Sequence, residues 1–225
     1  MNQIPDLAYA ENASQRLPCV ILVDGSTSMD GEPIDALNKG LQVLASDLKA
    51  DDVARQRVRL LVLRIGEPDV EVLTEWTDAI DFTPPSVVAN GATPLGAGAR
   101  RALLEIDQEK HRLDDNGIPF NRPWLFILTD GEPTDREWRD AAAECRAAEG
   151  ANKVTVFCIG VGGGANIEQL SEFSVRQPKL LKSIEHFAEF FLWLSRSAKV
   201  GSRKSETESV QMAATDPWAV APGKN

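Results

Sequence analysis

The sequence predicts an α/β domain of three layers, a doubly wound and mostly parallel sheet with one antiparallel edge strand, lying between two sets of helices. Three observations lead there. The short apolar runs PCVILV at 18–23, PWLFILT at 123–129 and KVTVFCIGV at 153–161 have the composition of strands buried on both faces. Between them lie stretches with apolar residues at helical spacing, of which Ile34, Leu37, Leu41, Leu44 and Leu48 form the clearest. The first two runs end in Asp-Gly and the third in a glycine run, as strands do where they turn into helices.

In chain order, residues 18–23 form the first central strand. Asp30, Gly31 and Pro33 then start an amphipathic helix, proline being favoured in a first turn where its missing N–H costs nothing. RVRLLVLRI at 57–65 and DVEVLTEW at 69–76 are separated only by Gly66-Glu67-Pro68, a connection that suits an antiparallel hairpin and puts the second strand at an edge. Residues 77–90, with Pro84 and Pro85, are irregular chain with room for one helical turn. Gly91-Ala92-Thr93-Pro94 opens a long helix over 95–112, the 123–129 strand follows, and a helix covers 135–149. After the 153–161 strand comes a glycine-rich turn, then a short strand at 180–183 and a final helix over 185–198. Its stripe of Phe187, Phe190, Phe191 and Leu194 is core, and Trp193, off that stripe, is a candidate exposed anchor. The domain organisation is thus an N-terminal extension 1–16, a domain 17–199 and a disordered polar tail 200–225, in which Trp218 is a candidate linear docking motif.

Composition narrows function. The 225 residues carry a formal charge of −10, which excludes nucleic-acid backbone and anionic membrane as main partners and favours a cation or a basic surface. Cys19, Cys145 and Cys158 are odd in number, lack CxxC spacing and sit in apolar or helical patterns, which reads as buried free thiols in a reducing, cytoplasmic compartment. No run approaches the length of a membrane span.

In a parallel sheet, ligands bind beyond the carboxyl ends of the strands. Asp24-Gly25-Ser26-Thr27-Ser28 follows the first strand, Thr129-Asp130-Gly131 closes a later one, and Thr93 stands at the mouth of the second long helix. Two carboxylates and three hydroxyls are hard oxygen donors, which select Mg2+ or Mn2+ over zinc or copper. Taken alone, Asp24, Ser26 and Ser28 also suit a helix cap or a turn.

Asp24-x-Ser26-x-Ser28, Thr93 and Asp130-Gly131 together resemble the metal-ion-dependent adhesion site of von Willebrand factor A domains, a resemblance that covers Leu17 to Ala198. VDGSTSMDGEPIDALNKGLQ, NGATPLG and LTDGEPTD look like the bacterial TerY-like branch of tellurite-resistance and stress gene clusters. The family commonly has Gly where this chain has Thr27. The resemblance implies that Ser26 and Ser28 bind the metal directly, Thr93 directly or through water, and that Asp24 and Asp130 contribute charge. It further implies a non-enzymatic adaptor whose metal takes a carboxylate from a partner protein, with a kinase or protein phosphatase from the same cluster as a partner. The rival class is a Mg2+-dependent phosphohydrolase of the haloacid-dehalogenase type, with Asp24 as nucleophile and Asp130 and Asp135 as metal carboxylates. That chemistry wants a general acid where this chain has Ser26.

Overall fold

Residues 12, 14–203 and 218–220 are described in the structure, a computed structural model. Its strands are β1 (Leu17–Asp24), β2 (Val58–Ile65), β3 (Val70–Asp78), β4 (Trp124–Thr129), β5 (Thr155–Gly160), β6 (Lys179–Leu181) and β7 (Ala219–Val220). The helices are α1 (Glu32–Lys49), α2 (Ala54–Arg57), α3 (Leu95–Asp115), α4 (Trp138–Gly150), α5 (Ile167–Ser171) and α6 (Phe187–Ser202). Residues 77–90 form no helix. All strands join one sheet in the order β3-β2-β1-β4-β5-β6-β7, with β2, β1, β4, β5 and β6 parallel and β3 antiparallel at its edge.

Alternation along the strands sorts the side chains into two cores. Cys19, Ile21 and Val23 of β1 and Phe126 and Leu128 of β4 face one way, toward α1 and α6. Val20, Leu22, Leu125 and Ile127 face the other way, toward α3 and α4. This is why the central strands read as continuous apolar runs: both of their faces are covered. Chain order reverses direction across the sheet between β1 and β4, since the chain goes from β1 to β2 and β3 before returning to β4 on the other side. That switch point opens a crevice at the carboxyl ends of β1 and β4.

Helices α1 and α6 pack closely. Gly40 sits mid-helix in α1, and a Cβ there would overlap the Phe191 ring, so the glycine's helix-propensity cost of about 1 kcal/mol is accepted for the approach of the two helices. Lys199 donates to Asp47 Oδ2 at 2.7 Å and Arg203 makes two bonds to the Asp51 carboxylate, at 2.8 and 2.7 Å, pinning the end of α6 to the end of α1.

The C-terminal chain differs from the expectation of a disordered tail beginning at residue 200. Helix α6 runs on to Ser202, and residues 218–220 return to the sheet, where β7 pairs antiparallel with β6 as a second, short edge strand. Trp218 is 1% exposed, its ring 5.1 Å from that of Phe190 and 5.0 Å from that of Trp193. Trp193 is therefore a core residue, 5% exposed, and not an exposed anchor; it stacks on Phe190 at the sheet end of the helix stripe. At the other end of the domain, Arg16, placed in the extension by sequence, is fully buried and paired to Asp78 at 3.2 Å. The rest of the tail, 204–217 and 221–225, and residues 1–11 lie outside the described residues.

The three cysteines are buried and free. Burial pushes the Cys145 thiol up to about 12 and raises Cys19 and Cys158 as well, so all three are inert thiols at neutral pH. Among the described residues no helix is long and apolar enough to cross a membrane.

Two outcomes are expected from this packing. Trp218→Ala removes a ring buried against two aromatics and lowers unfolding free energy by about 3 kcal/mol in chemical denaturation. The second concerns acid. Burial raises the Asp47 carboxyl, but the hydrogen bond and charge of Lys199 and the charge of Arg196 outweigh it and hold the group below its ordinary value; Asp51 is lowered likewise, Arg203 and the N–H groups of Ala54 and Val53 outweighing burial. A lowered folded-state pKa contributes stability above the unfolded value near 3.9 and loses it as pH falls through the folded one. Asp47→Asn therefore costs about 0.5 kcal/mol at pH 7 and almost nothing at pH 2, measured by urea melts at the two pH values.

Candidate functional site

Three loops meet over the β1/β4 crevice. Asp24 ends β1 beside Thr129, the last residue of β4, because Val23 and Leu128 are paired in the register. The Asp24 carboxylate is fully buried. Its Oδ2 accepts the Thr129 hydroxyl and its Oδ1 accepts the Ser26 N–H at 2.8 Å, closing a turn that lifts Ser26 and Ser28 over the strand end. A 3-10 turn over Thr27–Met29 then leads into α1. The hydroxyls of Ser26 and Ser28 lie 3.0 Å apart, and Ser28 donates to Asp130 Oδ1 at 2.8 Å. Thr129 also accepts the Gly131 N–H at 3.2 Å, which fixes the Asp130 loop.

Thr93 completes the set. A Cβ built on Gly131 would stand 3.5 Å from Thr93 Oγ1 and 3.8 Å from Ser28 Oγ, so the third loop reaches the same point. Thr93 is 4% exposed, and among the described residues its hydroxyl makes no hydrogen bond. Its backbone is held from the β4 side: the Thr93 N–H donates to Thr134 Oγ1 at 3.1 Å, and the Thr134 N–H donates back to the Thr93 carbonyl at 2.9 Å. Asp135 caps α3 in place of the Pro94 that precedes it, accepting the N–H groups of Gly96 and Ala97 at 3.2 and 3.0 Å. Gly96 is required here because a Cβ would collide with that carboxylate and with Trp138.

The electrostatics are unfavourable to the bare site. Burial raises the Asp24 pKa, hydrogen bonds from Thr129 and Ser26 oppose this, and the Asp130 charge raises it further. Two carboxylates and three hydroxyls converge here, and among the described residues neither carboxylate forms an ion pair. Hard oxygens in that number suit a hard dication that keeps some of its water. Among the described residues no three His, Cys, Asp or Glu side chains gather into an alternative cluster.

The five residues singled out by sequence, Asp24, Ser26, Ser28, Thr93 and Asp130, are thus brought together. Asp135 is not part of the group: both of its oxygens are turned to the α3 backbone, and Asp24 has both of its oxygens engaged at full burial. The phosphohydrolase reading, which needs Asp135 on the metal and Asp24 free to attack, finds no support in this geometry. His111 lies by Asp107, and His186 Nδ1 bonds Ser183 Oγ at 2.8 Å.

Residues missed by sequence reasoning hold the loops. Arg64, 1% exposed, bonds the carbonyls of Val88, Glu67, Gly25 and Asn90 at 2.7 to 3.2 Å. Asn38 of α1 makes a reciprocal pair with the backbone of Val87, at 2.9 and 2.8 Å. Thr27 bonds both backbone groups of Gly91 through its hydroxyl and donates its own N–H to the Gly91 carbonyl at 2.9 Å. The strap that delivers Thr93 is therefore tied down along its length. One signal was available: Arg64, like Arg59, is a charged residue inside a largely apolar strand, and such a group must find compensation.

The family model of the von Willebrand factor type A domain matches residues 19–190. A Synechocystis protein carrying the description "Uncharacterized protein sll0103" is 25% identical over 196 residues, covering 81% of this chain and 41% of that one, so the chain spans less than half of that relative's length. Among solved structures, a von Willebrand factor type A protein from Catenulispora acidiphila aligns with TM-score 0.63 at 18% identity, over 83% of this chain and 43% of that one. The vWF domain of the type V pili tip protein Mfa5 from Porphyromonas gingivalis gives 0.64 at 10%, over 87% and 99%. The pilus adhesin SpaC from Lactobacillus rhamnosus GG gives 0.66 at 13%, over 84% and 31%. At these identities the likeness is one of fold.

Arg64→Met strands four backbone carbonyls and costs about 3 kcal/mol of unfolding free energy, with amide exchange accelerating first at residues 87–91.

Proposed function

Because the chain belongs to the von Willebrand factor type A family, whose domains are generally protein-interaction modules, we propose that it is a metal-ion-dependent adaptor. Asp24, Ser26, Ser28, Thr93 and Asp130 would hold Mg2+ or Mn2+ at a metal-ion-dependent adhesion site. The observation that carries this reading is the convergence of three hydroxyls and two carboxylates from three loops, the Thr93 hydroxyl among them making no hydrogen bond to the described residues.

In this reading Ser26 and Ser28 ligate through Oγ, and Thr93 supplies its free hydroxyl directly or through water. Asp24 and Asp130 supply the charge while staying anchored, Asp24 by Thr129 and the Ser26 N–H. The bound ion would supply a position for an Asp or Glu side chain of a partner protein, a contact that neither partner makes alone. Asp24 and Asp135, the carboxylates a phosphohydrolase would use, have their oxygens engaged by the scaffold, which favours an adaptor over that enzyme class. The TerY-like motifs favour a tellurite-resistance or stress signalling setting with a kinase or protein phosphatase as partner. Three unpaired thiols favour the cytoplasm.

Thermal denaturation in EDTA, Mg2+ and Mn2+ tests the site. With free ion at about ten times its dissociation constant, linkage adds about 1.4 kcal/mol, a rise in Tm of about 3 to 5 °C. Ser26→Ala/Ser28→Ala keeps the metal-free Tm within about 2 °C and abolishes the rise. A wild-type protein whose Tm ignores both ions, or a double variant that keeps the shift, overturns the reading.

A further inference from the structure

Beside the Ser26–Ser28 loop, a groove of about 370 Å3 runs between the start of α1 and residues 184–188, the approach to α6. Glu32, Asp35 and Glu185 line it, all three exposed, together with the partly exposed apolar Ala36, Ile184 and Ala188 and one cation, Lys39. Among the described residues none of the three acids forms an ion pair. The loops that follow β1, β2 and β4 have the same sign: the exposed Asp30, Glu67, Asp69 and Glu132 carry no ion pair either among the described residues, against Arg136 and Arg139 near them in the chain.

A groove with an acidic rim and an apolar wall matches one kind of side chain. Lysine and arginine lay a methylene stem on apolar surface while the charged head meets carboxylates. The groove also lies close to the metal-ligating set: Glu32 follows Ser28 by four residues, which span at most about 14 Å of chain. A second copy of this chain is a poor occupant, since it would bring an equally acidic edge against this one.

We propose that this groove receives a lysine or arginine side chain from the partner protein whose carboxylate engages the Asp24/Ser26/Ser28/Thr93/Asp130 site. The inference rests on the adaptor reading for the partner's other contact, but the groove's own chemistry needs no metal. It makes recognition two-pronged: the metal site reads an acidic residue and the groove reads a basic one a short distance away. Such a pair rejects purely acidic surfaces, which the edge repels, and so supplies a selectivity that a carboxylate contact alone lacks.

The test is an NMR titration of the full chain with Nα-acetyl-argininamide and Nα-acetyl-lysinamide, with uncharged Nα-acetyl-citrullinamide as control, each in EDTA and in Mg2+. Both cationic probes should shift amides at 32–39 and 184–188, saturably and equally in the two buffers, and the control should not. Glu32→Gln/Asp35→Asn/Glu185→Gln should weaken binding by about tenfold or more, and Lys39→Gln should strengthen it. Equal shifts from the control, shifts scattered over the whole acidic edge, or a triple variant that binds as wild type does would overturn the proposal. Because the EDTA arm is independent of the ion, loss of the thermal shift with metal would overturn the adaptor reading while leaving this result standing, and the converse holds.

Discussion

A buried carboxylate stands at the centre of this molecule. Asp24 lies at the end of the central strand β1, fully enclosed, and is tolerable there only because Thr129 and the Ser26 N–H both donate to it. Those two bonds do more than compensate burial. The Thr129 bond joins the ends of β1 and β4 across the switch point, and the Ser26 bond bends the following loop so that two serine hydroxyls stand over that joint. Every other feature of the site is arranged around this anchored charge, including the Asp130 carboxylate that Ser28 reaches and that raises the cost of leaving the pair without a counterion.

Thr93 comes from much farther along the chain, and the means of bringing it there explain why so much polar machinery is buried nearby. A strap of irregular backbone exposes unpaired N–H and carbonyl groups, which must be satisfied. Arg64 takes four carbonyls, Asn38 a backbone pair and Thr27 both groups of Gly91. On the far side, Thr134 and Asp135 fix Thr93 and the start of α3. Among the described residues the hydroxyl of Thr93 is left without a hydrogen bond by this scaffold, while its backbone is fixed on both sides.

The opposite side of the sheet shows how the helix layer is secured. Phe190, Trp193 and Trp218 form one aromatic cluster against β4, and the ion pairs of Asp47 and Asp51 hold the far end of α6. Segment 218–220 thereby becomes part of the domain, completing the sheet at β6 and covering the helix stripe. The start of α6 borders the acidic groove, so the same helix links the aromatic core to the edge that carries the site.

The sequence by itself determined the layers, the central strands and which five polar residues stand at the strand ends that converge, because these are encoded locally. Period-2 and helical apolar spacing report burial directly, and hydroxyls and carboxylates at strand ends stand out against apolar runs. Only the tertiary structure decided the destinations of Arg64, Asn38, Thr134 and Asp135, whose hydrogen-bond partners, apart from the Glu67 carbonyl three residues from Arg64, lie 24 to 49 residues away. It also decided that Trp193 and Trp218 are core. Trp218 sits in an aperiodic stretch with no local pattern to bury it, and Trp193 falls off the helix stripe; Trp193 is covered by Phe126 and Phe157 of the sheet together with Trp218, and Trp218 by Phe190 and Trp193, in each case by residues from distant parts of the chain. Burial of a side chain by a segment remote in sequence leaves no periodicity to read, and that is the physical boundary between the two kinds of information here.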